Sequence, residues 1–148
     1  MLIVADQLVA HAVGDYVLQS DWMAGEKTKK SVAALAHVLT YGLPFLFLTQ
    51  SPLALLVIVG THFVIDRWRL ARYVCWVKNF LAPRQTVVIT YLGPNSTQSV
   101  FTDWWHPWSD CVGTGYHKDR PAFLAVWLMI ITDNVMHVLI NALALRYL

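Results

Sequence analysis

Charge is scarce in this chain. Only 14% of its 148 residues are Asp, Glu, Lys or Arg, against roughly 25% in ordinary soluble domains. Cysteine is scarcer still. Cys75 and Cys111 are too few and too far apart to build a disulfide frame or a CxxC site, so both are expected to be reduced thiols. The formal net charge is only +2 and no basic stripe stands out, which argues against a nucleic-acid partner. Internal repeats and low-complexity tracts are also missing. Residues 1–20 lack the basic leader and small-residue cleavage site of a signal peptide, and they carry Asp6, His11 and Asp15. They are therefore expected to be a retained first crossing.

What fills the chain instead is apolar sequence, 57% of the residues. A bilayer core needs around 20 apolar helical residues per crossing, and stretches at about 1–20, 31–50, 52–80 and 121–147 qualify. The expected fold is one all-α membrane domain over residues 1–148, an antiparallel four-helix transmembrane bundle. The segment DWMAGEKTKK reads as a connector, with Ser31 as the cap of the second helix. Pro44 should kink that helix. Ser51-Pro52 reads as a cap followed by a proline at the first helical position. The third helix should run on past the membrane as a basic amphipathic extension. The polar insert at 84–120 carries a candidate β-hairpin, in which TVVITYL and TQSVFT flank Gly93-Pro94-Asn95-Ser96.

Ten of the eleven basic residues fall in the connector after the first helix or between the end of the third and the start of the fourth; Arg146 is the exception. The positive-inside rule then places both connectors in the cytoplasm and both termini outside, in a multi-pass membrane protein.

The polar residues inside the apolar runs form a pattern. Gln7, His11, Asp15 and Gln19 are spaced by four, so they share one helix face. The first and third helices each read His-x-x-x-Asp, as His11/Asp15 and His62/Asp66. The fourth, running the opposite way, reads Asp-x-x-x-His, as Asp133/His137. Reversing both direction and order brings the three His to one depth and the three Asp to another, about 6 Å apart. His37 falls near the same zone. Ionisable residues at membrane depth are costly and are functional candidates by default.

The expected site is therefore a metal centre of His11, Asp15, His37, His62, Asp66, Asp133 and His137. Mixed His/Asp ligation suits Zn foremost, with Mn or Fe as alternatives, and seven donors leave room for one or two ions. Such a centre activates water against a phosphoester or lipid-like substrate, with one of Asp15, Asp66 and Asp133 as general base. Arg67, Arg69 and Arg72 are candidates for holding an anionic head group, and positive-inside anchoring explains the same three residues. A metal-free hydrogen-bond network, a proton or ion pathway and a haem held by two His draw on the same polar set, although haem leaves the Asp residues unexplained. Trp104, Trp105 and Trp108 suit the membrane interface or a protein partner. In that second case the protein acts by partner binding rather than catalysis. A core this polar also suits homo-oligomerisation.

Four segments carry a resemblance: AHAVGDYVLQSDWMA with the Lys cluster after it, LAHVLTY, THFVIDRWR and TDNVMHVLIN. In this order the chain resembles the small multi-pass membrane proteins grouped as domain of unknown function family 3307, found in bacteria and tailed bacteriophages. The region from TGYHKDRP to NVMH is similar to phage-encoded members, which implies a phage origin. The insert at 84–112 lies outside the family pattern. The His/Asp arrangement also resembles, at the level of motif, membrane-bound metal-dependent hydrolases of bacteria.

Overall fold

The computed structural model describes residues 2–81, 86–90, 98–102 and 106–148. It divides into two compact units, residues 1–71 with 130–148, and residues 72–129.

The first unit begins with α1, Leu2–Ala12. This helix widens into a π turn over Val13–Val17, closed by a bond from Leu18 N–H to Val13 O at 2.9 Å. The segment read as a connector contains a short helix, α2, Asp21–Glu26. It forms because extended Ser20 caps it, the hydroxyl accepting from Met23 N–H at 3.3 Å. Helix α3 spans Ser31–Gly42, and its cap position is Lys30 rather than Ser31. The Ser31 hydroxyl instead accepts from Arg67 Nε at 3.2 Å. Around Pro44 the chain tightens into a 3₁₀ helix, Leu43–Phe47, as expected where proline removes an N–H.

Helix α4, Pro52–Trp68, starts as the sequence predicts: Ser51 Oγ accepts from Ala54 N–H and Pro52 takes the first turn. The single helix expected over 52–80 is in fact two. Arg69 adopts a left-handed conformation (φ 51°, ψ 52°), Leu70 N–H reaches Ile65 O at 2.9 Å, and Arg69 N–H reaches Asp66 O at 3.2 Å. These bonds satisfy the last carbonyls of α4 in the way a glycine cap usually does. The chain restarts as α5, Ala71–Lys78.

In the second unit the expected hairpin is present. Strand β1, Thr86–Thr90, pairs antiparallel with β2, Gln98–Thr102, with Val88 opposite Val100. Its turn at 93–96 lies outside the described residues. Trp76 donates its indole N–H to His106 O at 2.9 Å, and Asn79 donates to Gly115 O at 3.1 Å. Gly115 sits at φ 84°, and a Cβ there would fall 2.1 Å from Arg72 O, so only glycine fits. The short helix α6, Trp108–Cys111, follows. Cys75 and Cys111 are both buried and form no disulfide.

Helix α7, Ala122–Tyr147, is the one helix among the described residues long and apolar enough to cross a membrane. The first unit has a small apolar core of Ala10, Tyr41, Phe45, Ile58 and Ala144. Around it the usual distribution is inverted: His11, His37, His62, Asp66, His137 and Asn141 are buried, whereas Val9, Leu39, Leu56, Val135 and Leu139 are exposed.

Candidate metal centre

Six of the seven predicted ligands are buried together in the first unit, and the seventh, Asp133, lies against them partly exposed. His37 and His62 bring their Nε2 atoms to 3.0 Å. Asp15 Oδ1 lies 3.3 Å from His37 Nε2 and 3.2 Å from His62 Nε2. On the other side Asp66 Oδ2 lies 3.1 Å and 3.2 Å from the same two nitrogens. Asp66 turns its second oxygen elsewhere, Oδ1 standing 3.4 Å from His137 Nε2, which in turn is 3.4 Å from Asp133 Oδ2.

These spacings can be compared with what a metal ion requires. Ligands about 2.0 Å from a tetrahedral ion sit about 3.3 Å from one another. The separations of 3.0 to 3.3 Å around His37 and His62 match that edge length. Donor atoms of Asp15, His37 and His62 lie within 4.8 Å of one another, as do those of His62, Asp66 and His137. Three buried carboxylate or Nε2 atoms of the cluster, Asp15 Oδ1, Asp66 Oδ2 and His137 Nε2, make no hydrogen bond despite their close neighbours, nor do the Nδ1 atoms of His37 and His62. Buried polar atoms are normally bonded, and an ion held among these donors would satisfy the ones that are not. Asp66 presents one carboxylate oxygen to each half of the cluster.

The local fold explains this placement. The π turn carries Asp15, and Gly14 beside it lets that turn press on Tyr41: a Cβ at Gly14 would meet Tyr41 Cδ2 at 2.5 Å. Single π turns inside helices often mark functional sites. The His and Asp side chains meet across the spacing between their positions. An imidazole is long enough to span one helical turn, so each i,i+4 pair closes on itself, His62 with Asp66 and His137 with Asp133. His62 also stacks on His137 with ring centroids 3.8 Å apart, and on Tyr41 at 3.7 Å.

His11 is placed differently from the other three imidazoles. Its Nδ1 is 2.9 Å from the Tyr41 hydroxyl and its Nε2 is 2.8 Å from Asn134 Oδ1. Asn134 Oδ1 can only accept, so His11 carries its proton on Nε2 and Tyr41 donates to Nδ1. Asn141 donates to the same Tyr41 oxygen at 2.6 Å. With both nitrogens engaged, His11 is a support for Asp15, whose Oδ2 is 3.4 Å away.

The sequence reading missed Lys27. At the end of α2 it extends its ammonium to 2.8 Å from Asp66 Oδ2 and 3.3 Å from His37 Nε2. Its neighbours Lys29 and Lys30 pair instead with Glu26 at the surface; the bonds from Lys30 and then Lys29 hold the Glu26 carboxyl below its ordinary range. No spacing rule singles out one lysine of a cluster.

The arginines read as head-group ligands have other contacts. Arg67 donates to Ser31 Oγ and to Thr28 O at 2.8 Å, fastening the segment after α2. Arg69 is the left-handed cap of α4. Arg72, in the second unit, donates to Val112 O and packs over Tyr73 and Trp108. Trp108 stacks on Tyr73 at 4.6 Å; Trp104 and Trp105 lie outside the described residues.

These features define a helical protein with a buried His/Asp cluster that could hold a metal ion. The chain belongs to the family described as protein of unknown function (DUF3307), whose model matches residues 3–92. The match takes in His11, Asp15, His37, His62 and Asp66 and stops short of Asp133 and His137. Neither the curated proteins nor the solved structures contain a significant match.

Proposed function

We propose that this is a multi-pass membrane protein whose helical bundle holds one or two divalent ions, Zn foremost, and hydrolyses a phosphoester or related bond in a lipid-like substrate. The observation that carries the reading is the convergence of Asp15, His37, His62 and Asp66 at 3.0 to 3.3 Å.

The membrane part rests on the inverted burial. A helix pair in water buries leucine and exposes histidine and aspartate; here Leu39, Leu56, Val135 and Leu139 face outward and the ionisable residues face inward. Helix α4 has 17 residues, about 26 Å at 1.5 Å per residue, at the short end of what a bilayer accepts. The combined α3 and 3₁₀ segment has the same length. The distribution of Lys and Arg favours cytoplasmic connectors and outward termini, as in an inner-membrane protein of a bacterium or its phage.

For the chemistry, Asp15, His37, His62 and Asp66 Oδ2 would hold the first ion. Asp66 Oδ1, His137 and Asp133 would contribute to a second. A divalent ion supplies Lewis-acid polarisation of a phosphoryl oxygen and lowers the pKa of water. Asp133, whose side chain is 29% exposed where that of Asp66 is 3%, is the carboxylate best placed to accept a proton from water. The test is element analysis of protein purified in detergent, together with turnover of bis-p-nitrophenyl phosphate. Expected are one or two equivalents of Zn, Mn or Fe and a turnover that chelation removes. Purified protein holding no such metal, and taking up none, would overturn the reading.

A further inference from the structure

Lys27 and a metal ion compete for the same electrons. A lysine ammonium has three donors and no acceptor, so in the 3.3 Å contact with His37 it is His37 Nε2 that accepts. That nitrogen has a single lone pair, the one a metal ion would need. The second contact, 2.8 Å to Asp66 Oδ2, engages another atom of the same ligand set. Lys27 also stands apart from its surroundings. No residue of α2 is buried, yet the Lys27 side chain retains only 19% of its exposure, against 67% for Lys29 and 64% for Lys30.

We infer that Lys27 is a tethered monovalent occupant of the centre, which a divalent ion must displace, and that it thereby sets the centre's selectivity for divalent over monovalent cations. This rests on the metal reading above. Asp15 and Asp66 bring two carboxylates to the site. The ammonium offsets one of them and, being tethered, is present at high effective concentration. Sodium or potassium carries no more charge than the ammonium it would replace. A divalent ion neutralises both carboxylates and binds the nitrogens as well, so only it gains by the exchange. The displaced Lys27 side chain leaves toward the solvent side from which α2 delivers it.

The experiment uses the full chain in detergent, with Zn²⁺ and Mn²⁺ as probes. In wild type, Lys27 should resist acetylation by a water-soluble acylating reagent until Zn²⁺ or Mn²⁺ is added. Lys29 and Lys30 should react equally in both states, and 100 mM Na⁺ or K⁺ should not release Lys27. Lys27→Met should bind Zn²⁺ roughly ten- to a hundredfold more tightly, the scale of the charged hydrogen bond to His37 no longer broken, whereas Lys27→Arg should show no such gain. Zn²⁺ binding to wild type with Lys27 labelling unchanged, or with Lys27→Met no tighter, overturns the inference and leaves the metal reading standing. Failure of both wild type and Lys27→Met to bind either ion overturns both. The labelling experiment needs no variant, so a poorly folding Lys27→Met does not remove the test.

Discussion

Gly14 and Tyr41 approach so closely that a single added carbon on Gly14 would lie 2.5 Å from Tyr41 Cδ2, 3.1 Å from Tyr41 O and 3.2 Å from Tyr41 Cα. The ring edge could turn aside, but the backbone of α3 could not, and the ring is itself packed against His62. Gly14→Ala must therefore push the π turn away from α3 and carry Asp15 with it. Overpacking of this kind costs about 1–3 kcal/mol. The expected result is a lower unfolding temperature in detergent and weaker Zn²⁺ binding. A variant with wild-type stability and affinity would show that the close approach is not required.

The two kinds of histidine should separate under mutation. His62 touches both Asp15 and Asp66 through Nε2, so His62→Ala should remove bound metal altogether. His11 has both nitrogens engaged by Tyr41 and Asn134, and it reaches the centre only through Asp15. Loss of such a supporting group typically costs 10–100-fold in metal affinity. His11→Ala should fall in that range and keep a measurable stoichiometry at saturating Zn²⁺. Equal and complete loss in both variants would make His11 a direct ligand.

The contrast marks how far the sequence can be read. Spacing of four on antiparallel helices identified Asp15, His62, Asp66, Asp133 and His137 as one cluster, because helical periodicity fixes which side chains share a face. It could not separate His11 from the others, since that difference lies in the hydrogen bonds of Tyr41 and Asn134 on two distant helices. The ends of elements were legible where chemistry marks them: Ser51-Pro52 opens α4 as expected. The break after Trp68 was not, because Arg69 takes a left-handed conformation that glycine normally signals. Lys27 was hidden by Lys29 and Lys30, whose identical side chains serve only the surface.

Cys111 gives a pH-dependent check on the second unit. Burial, and then the Asp110 carboxylate, push its thiol above the ordinary range, which is about 8.5. The thiolate is the reactive form, so a raised pKa means less of it at any given pH. At pH 8, alkylation of Cys111 by iodoacetamide should lag well behind that of a small free thiol, and it should accelerate as pH rises beyond the ordinary thiol range. The sign for stability follows. The fold favours the neutral thiol, so the contribution is fully present below the unfolded pKa and is lost as pH rises through the folded one. Peptide mass spectrometry after timed alkylation measures the rate, and a Cys111 as fast as the free thiol contradicts the burial.

Asp66→Asn tests the centre at the residue that joins its parts. The substitution keeps the size of the side chain and removes its charge. In wild type Oδ2 faces His37, His62 and Lys27, and Oδ1 faces His137. An amide replaces one of those acceptors with an N–H₂ group, which turns a donor toward either Lys27 or His137. Lys27 then has no carboxylate at 2.8 Å, and breaking one side of a buried ion pair costs about 3–5 kcal/mol; with Lys27 partly open to solvent, the loss should fall toward the lower end. Two effects are expected together: a lower unfolding temperature, and loss of every equivalent of bound metal. Adding Lys27→Met to Asp66→Asn should recover much of the stability, because the unpaired ammonium is gone, and none of the metal, because the carboxylate is still missing. A double variant that regains Zn²⁺ would show that Asp66 acts only as the partner of Lys27.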